Sequence, residues 1–143
     1  MISSQQKYAQ VAYESVMMVK RESDDKRNAT FAQQYGQLCH RFPSLVITNG
    51  LRLATAFFEA KSGSDNSGRV YQVYLQDMKS AVGQELGGIG ERNIEYLHLS
   101  RKVLQASVWF KRYTEAILKV EQGAELIELL DEDLDGTVAG DNT

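Results

Sequence analysis

Histidine, cysteine and proline are almost missing from these 143 residues, and much catalytic and covalent chemistry goes with them. The single cysteine, Cys39, cannot close an intramolecular disulfide. The single proline, Pro43, leaves a chain with few breakers and much Ala, Leu, Gln, Glu and Lys, a composition that favours helices. No run approaches the ~18 consecutive apolar residues of a membrane span. The opening Met1-Ile2-Ser3-Ser4-Gln5-Gln6 has no basic region followed by an apolar one, so no secretory signal and a cytoplasmic location are expected. Without that route the Asn28-Ala29-Thr30 sequon carries no consequence.

What is present is helical periodicity over a hydrophobic content of 43%, enough for a core. Tyr8, Ala12, Val16 and Val19 mark a first helix that closes on Lys20 and Arg21, with Ser23-Asp24-Asp25 capping the second. The second runs through Phe31, Tyr35, Leu38 and Phe42, and Pro43 stops it or opens the next. A third, over 43–61, is apolar nearly all round and is expected to be the most buried element. Residues 62–68 read as a loop. A fourth helix carries Val70, Val73, Tyr74, Met78, Ala81 and Val82 until Gly87-Gly88-Ile89-Gly90 breaks it. The longest helix is expected from 93 to 122, and a short one from 124 to 130. The reading is an all-α, single-domain helical bundle of five to six helices over residues 1–122, followed by an acidic C-terminal tail, 123–143, partly helical and then disordered.

The catalytic inventory is poor. Cys39 and His40 are chain neighbours that diverge by about 100° on a helix, so they form no nucleophile–base pair. Glu95 and His98 make one Glu-x-x-His motif where a di-iron bundle needs two and further glutamates. Gly87, Gly88 and Gly90, with Arg92 beside them, lack the Lys-Ser/Thr of a phosphate loop. Asp131, Asp133, Asp135 and Gly136 copy the start of a calcium-binding loop, but Asn142 stands where the bidentate glutamate belongs. No catalytic residue, metal or cofactor is expected.

Charge is unevenly placed. The formal net charge is −3, yet residues 1–119 hold all 16 Lys and Arg against 11 acids, a balance of +5. Residues 120–143 hold eight acids and no Lys or Arg, a balance of −8. Such asymmetry points to a polyanion partner, the plain alternative being an ordinary surface with a solubilising tail. On a helical wheel Arg101, Arg112 and Lys119 fall within about 20° of one another, away from Trp109, Phe110 and Tyr113. A row of cations suits a phosphate backbone, and Glu115 beside it offers ion pairs if the face is merely solvated. Arg41, Arg52 and Lys61 extend the basic set, and Lys20, Arg21, Lys26 and Arg27 form a second local cluster.

Two blocks carry a family likeness. Tyr35-Gly-Gln-Leu-Cys-His-Arg-Phe-Pro43-Ser-Leu-Val-Ile-Thr-Asn49-Gly50-Leu51 and the helix ending in Phe57-Phe58 resemble a signature of the small subunit of type III-B CRISPR effector complexes. The run Ala106-Ser-Val-Trp109-Phe110-Lys111-Arg112-Tyr113-Thr-Glu115-Ala116 is similar to that family's closing helix. The likeness covers about residues 5–122 and leaves the acidic tail outside it. The resemblance implies an all-α, non-catalytic protein whose copies stack head to tail as an inner filament beside the other subunits of the complex. It implies a basic face lying along the guide RNA and target RNA, with cleavage left to the backbone subunits. The nucleic-acid-binding candidates are then Arg41, Arg52, Lys61, Arg101, Lys111, Arg112 and Lys119. Pro43 is expected to start helix three and Gly50 to permit close packing. The competing readings are a helical adaptor that binds only protein, and a bundle enzyme with metal near Glu95 and His98.

Overall fold

The computed structural model describes residues 2–63, 65–87 and 94–122. Five α-helices run through them: α1 (Ser4–Lys26), α2 (Ala29–Asn49), α3 (Leu51–Lys61), α4 (Asn66–Val82) and α5 (Ile94–Tyr113), the last continued by a π-turn, Thr114–Leu118. No strand occurs among the described residues, and no helix there is long and apolar enough to cross a membrane. The glycine break beyond Gly87, Arg92, the 124–130 helix, the calcium-loop spacing and the acidic tail lie outside the described residues.

Helix α1 starts on a reciprocal cap. Ser3 Oγ accepts the Gln6 amide at 3.1 Å, and Gln6 Oε1 accepts the Ser3 amide at 2.8 Å. Its buried stripe is Tyr8, Ala12, Val16, Val19 and Ser23, each one helical turn from the last. The helix does not close at Lys20 and Arg21. Lys20 pairs with Asp24 at 3.3 Å and Lys26 with Glu22 at 3.6 Å, both i,i+4, so the expected cap is helix instead, with Asp24 and Asp25 on its surface and Ser23 in its buried stripe. Arg27 turns left-handed at φ 52° to end the helix, and Asn28 Oδ1 accepts the Phe31 amide at 3.2 Å to begin α2.

Pro43 neither ends α2 nor begins α3. It sits inside α2, and its missing N–H leaves the Cys39 carbonyl without the usual i+4 donor. Packing outweighs that loss, because Phe42, Pro43 and Val46 are all buried. The break falls at Gly50, with φ 87° and ψ 157°, a backbone region that only glycine occupies cheaply. Gly50 is thus a hinge between helices, and its missing side chain also lets α5 come close, since a Cβ there would stand 3.2 Å from Tyr96 Oη. Moving the break from 43 to 50 resets the helical phase, so α3 is not the most buried element. Ile47 is 74% exposed at the end of α2, and Leu53 and Phe57 are 44% exposed on α3. Asp65 Oδ1 caps α4 at the Gly68 amide, so the connection before it is shorter than expected.

The core gathers around Tyr74. Its ring lies 5.8 Å from Tyr35, 5.4 Å from Phe42, 5.7 Å from Phe58 and 6.0 Å from Phe110, all in edge-to-face arrangements. These rings come from α2, α3, α4 and α5, so one aromatic cluster ties four helices together, each pair worth about 1 kcal/mol beyond its burial. Helix α1 packs along α5 on the other side.

Among the described residues α1 spans 23 residues, and α5 spans 20 before a π-turn adds five more. Helix α5 widens at Thr114, where the amides of Lys119 and Val120 both return to the Thr114 carbonyl. Lys119, at φ 61°, closes the turn. Val120 then locks against α2, where His40 Nε2 donates to its carbonyl at 2.9 Å. A Cβ on Gly36 would stand 2.5 Å from Val120 Cβ, so that glycine makes room for the locked end.

Candidate nucleic-acid interface

Helix α5 presents two opposite faces. Leu99, Val103, Ala106 and Phe110 are buried. Arg101, Gln105, Val108 and Arg112 are exposed, about 180° around the helix from that stripe. The apolar period therefore fixes where the arginines point.

Arg112 is held rather than free to wander. Its guanidinium lies 5.0 Å above the Trp109 ring. Trp109 is itself fixed, since its Nε1 donates to Gln5 Oε1 at 2.8 Å and its ring stacks on Tyr113 at 6.4 Å. Tyr113 meets Tyr13 edge-on at 5.4 Å. A chain of contacts from α1 through α5 so places one cation at a set position on the outer face. Trp109 and Tyr113 border the core, as the wheel suggested, but the support Trp109 gives to Arg112 needed the structure to find.

Other basic residues are tied up. Lys20 and Lys26 have their helical partners, Arg69 pairs with Glu22 at 2.7 Å, and Lys79 with Glu85 at 3.0 Å. Lys20 and Lys26 of the second local cluster are therefore paired with carboxylates. Among the described residues no carboxylate pairs with Arg101, Lys111, Arg112 or Lys119. Glu115, expected to pair with that row, instead lies 3.8 Å from His40 Nε2.

The seven candidates do not form one cluster. Arg101 and Arg112 share the outer row of α5. Lys111 is half-buried on its flank. Lys119 leaves the row, because the π-turn adds to the residues per turn and the left-handed cap redirects the chain. Arg52 is brought beside the first turn of α5, where Tyr96 Oη accepts its amide at 3.1 Å. Arg41 and Lys61 share a different place, a cleft of about 450 Å³ with Leu45, Phe57, Phe58, Ala60 and Tyr71. Lys61 Nζ there stands 5.8 Å from the centre of the Tyr71 ring. Arg41 and Arg52 each have further interactions of their own.

The nucleophile and metal candidates stay apart. Burial pushes the Cys39 thiol far above its ordinary pKa. His40 is spent on the Val120 carbonyl. Glu95 and His98 are exposed on α5, and no group of three or more metal-ligating side chains gathers among the described residues.

These features define a small all-α bundle that displays Arg101 and a fixed Arg112, unpaired among the described residues, on the outer face of α5. Comparison with known proteins narrows the class. The family model described as "CRISPR-associated protein (Cas_Cmr5)" matches residues 4–117, and the chain belongs to that family. A relative named "CRISPR system Cmr subunit Cmr5", from Thermus thermophilus, is 28% identical over 120 residues, covering 80% of this chain and 95% of the relative. The X-ray crystal structure of a CRISPR-associated Cmr5 family protein, also from Thermus thermophilus, is similar with a TM-score of 0.64 and 27% identity, covering 84% of this chain and 100% of the other. The two blocks that carried the resemblance, around Asn49-Gly50-Leu51 and Lys111-Arg112, both fall inside the matched region.

Proposed function

We propose that this chain is a non-catalytic small subunit of a type III-B CRISPR RNA-guided effector complex, and that copies of it stack head to tail and lay a basic face along the guide–target RNA backbone. The exposed Arg101 and Arg112 on α5, unpaired among the described residues, are the observation that carries the reading. A phosphate backbone asks for positive charge at set positions and for no base-specific groups. Family membership supports the assembly, because the Thermus relative is itself named as a subunit of a Cmr system. The buried thiol and the occupied His40 support a role without catalysis.

Stacking needs two different complementary surfaces on each copy. Ile47 and Leu53 near the α2–α3 hinge, and Ile94 and Leu97 at the start of α5, are exposed apolar side chains that a neighbouring protein would cover. The same residues would serve an adaptor that binds only protein, so the arginines decide between the readings.

Replacing both Arg101 and Arg112 with Glu is expected to weaken retention of target RNA at moderate salt. It should also flatten the salt dependence, by roughly 0.7–0.9 in log–log slope for each phosphate that is no longer neutralised. Both side chains oppose the buried stripe, so the helical circular dichroism should not change. Unchanged retention would remove these residues from the interface. Native purification that yields protein partners but no RNA would favour the adaptor.

A further inference from the structure

Three aromatic side chains at the seam of α1 and α5 form a ladder that the core does not absorb. Trp109 and Tyr113, one turn apart on α5, stack at 6.4 Å with their planes 28° apart. Tyr13 of α1 meets Tyr113 edge-on at 5.4 Å and remains 46% exposed. Arg112 lies over Trp109 at the other end. We propose that an unpaired nucleobase of RNA stacks on this ladder at its Tyr13 end, while Arg112 and Arg101 hold the neighbouring phosphates. The inference rests on the RNA-binding reading above and adds to it a preference for bases outside a duplex.

Position supports that occupant. Ala12 and Val16 lie in the buried stripe of α1, and Tyr13 stands about 100° round the helix from Ala12, off that stripe. Among the described residues its only aromatic contact is Tyr113. A single exposed tyrosine is ordinary. This one ends a series of flat groups and leaves ring surface open to solvent.

Charge supports it as well. Arg101 and Arg112 are exposed and have no carboxylate partner among the described residues, and Arg112 belongs to the ladder itself. Glu14, next to Tyr13 in sequence, points about 100° away around α1 and accepts from Gln10 at 3.3 Å. A strand whose phosphates follow the arginines therefore brings its bases to the rings. Trp, Tyr and Arg also serve protein interfaces, and the two unpaired arginines are what favour a polyanion here.

The third support is rigidity. Trp109 Nε1 is bonded to Gln5, Arg112 rests on the indole, and the ladder spans two packed helices. Rings already in place lose little freedom when a ligand arrives. Aromatic faces beside cations grip single strands whatever their sequence, because every base has a π-face. Inside a duplex each base is covered on both faces by its neighbours, so only an unpaired base has a face to offer.

The test titrates the full-length protein at low salt with a short oligouridylate and with an abasic strand of the same length, each followed by fluorescence anisotropy. Both strands offer the same phosphates, so the difference between them reads stacking alone. The oligouridylate is expected to bind more tightly, by roughly five- to a hundredfold. Tyr13→Leu should abolish that margin and Tyr13→Phe should keep it, with the helical circular dichroism unchanged in both. Equal affinity for the two strands in the native protein would overturn the inference. So would a Tyr13→Leu chain that keeps the margin, or a Tyr13→Phe chain that loses it. The arginine reading fails separately, because charge reversal at Arg101 and Arg112 should weaken both strands alike, whereas Tyr13→Leu spares the abasic one. Binding of neither strand would sink both readings.

Discussion

Asp77 sits half-buried on α4 among hydroxyls rather than cations. Tyr35 Oη donates to its Oδ2 at 2.6 Å, and Ser15 gives a second hydrogen bond. Burial raises its pKa from 3.8 to about 6, more than the two hydrogen bonds lower it. The folded protein therefore holds this proton more tightly than the unfolded chain does. The stabilisation is complete below about pH 3.8 and is lost as pH rises through about 6. The loss is on the order of 3 kcal/mol at neutral pH. Asp77→Asn cannot titrate, and it keeps an acceptor for Tyr35. Urea unfolding at several pH values should show the variant gaining on the native protein between pH 4 and 6, then holding a constant margin. A margin that does not vary with pH would mean that Asp77 is solvated like an ordinary carboxylate.

At the level of elements, the apolar period was legible and the breaks were not. Tyr8, Ala12, Val16 and Val19 face the core as their spacing requires, and so do Val70, Tyr74, Met78 and Ala81. The stops depend on competition that no short window reveals. Pro43 carries the strongest local signal for a boundary, but the burial of Phe42 and Val46 on either side keeps the helix going. Gly50 carries a weaker local signal, yet the chain needs there a φ of 87° that other residues resist. The π-turn after Tyr113 has no sequence mark at all, since it follows from seating Val120 against Gly36 and His40. On this account Gly50→Ala should cost about 1–3 kcal/mol through backbone strain, with its new Cβ also 3.2 Å from Tyr96 Oη. A thermal midpoint within a degree of the native value would show that the α2–α3 hinge relaxes without penalty.

For the whole molecule the question is how a protein of net charge −3 would meet the polyanion proposed for it. The sequence made the division plain, because cations and late acids separate along the chain, and the Arg101 and Arg112 row could be placed on one wheel face. Which cations are free could not be read that way. Only folding shows Lys20, Lys26, Arg69 and Lys79 consumed by carboxylates, and Arg41 and Lys61 gathered in a cleft away from α5. Surface charges interact over a Debye length of about 10 Å at 0.1 M salt, so a linked acidic tail competes with RNA for whatever positive surface it reaches. Deleting residues 123–143 removes seven acids and no Lys or Arg, which moves the formal net charge from −3 to +4. The deletion leaves Val120 and its contact with His40 in place. Filter binding with a random-sequence RNA should then show affinity raised several-fold at low salt, with the gain fading as salt screens both charges. Weaker binding after deletion would refute the competition and assign the acids to a contact that helps hold the RNA.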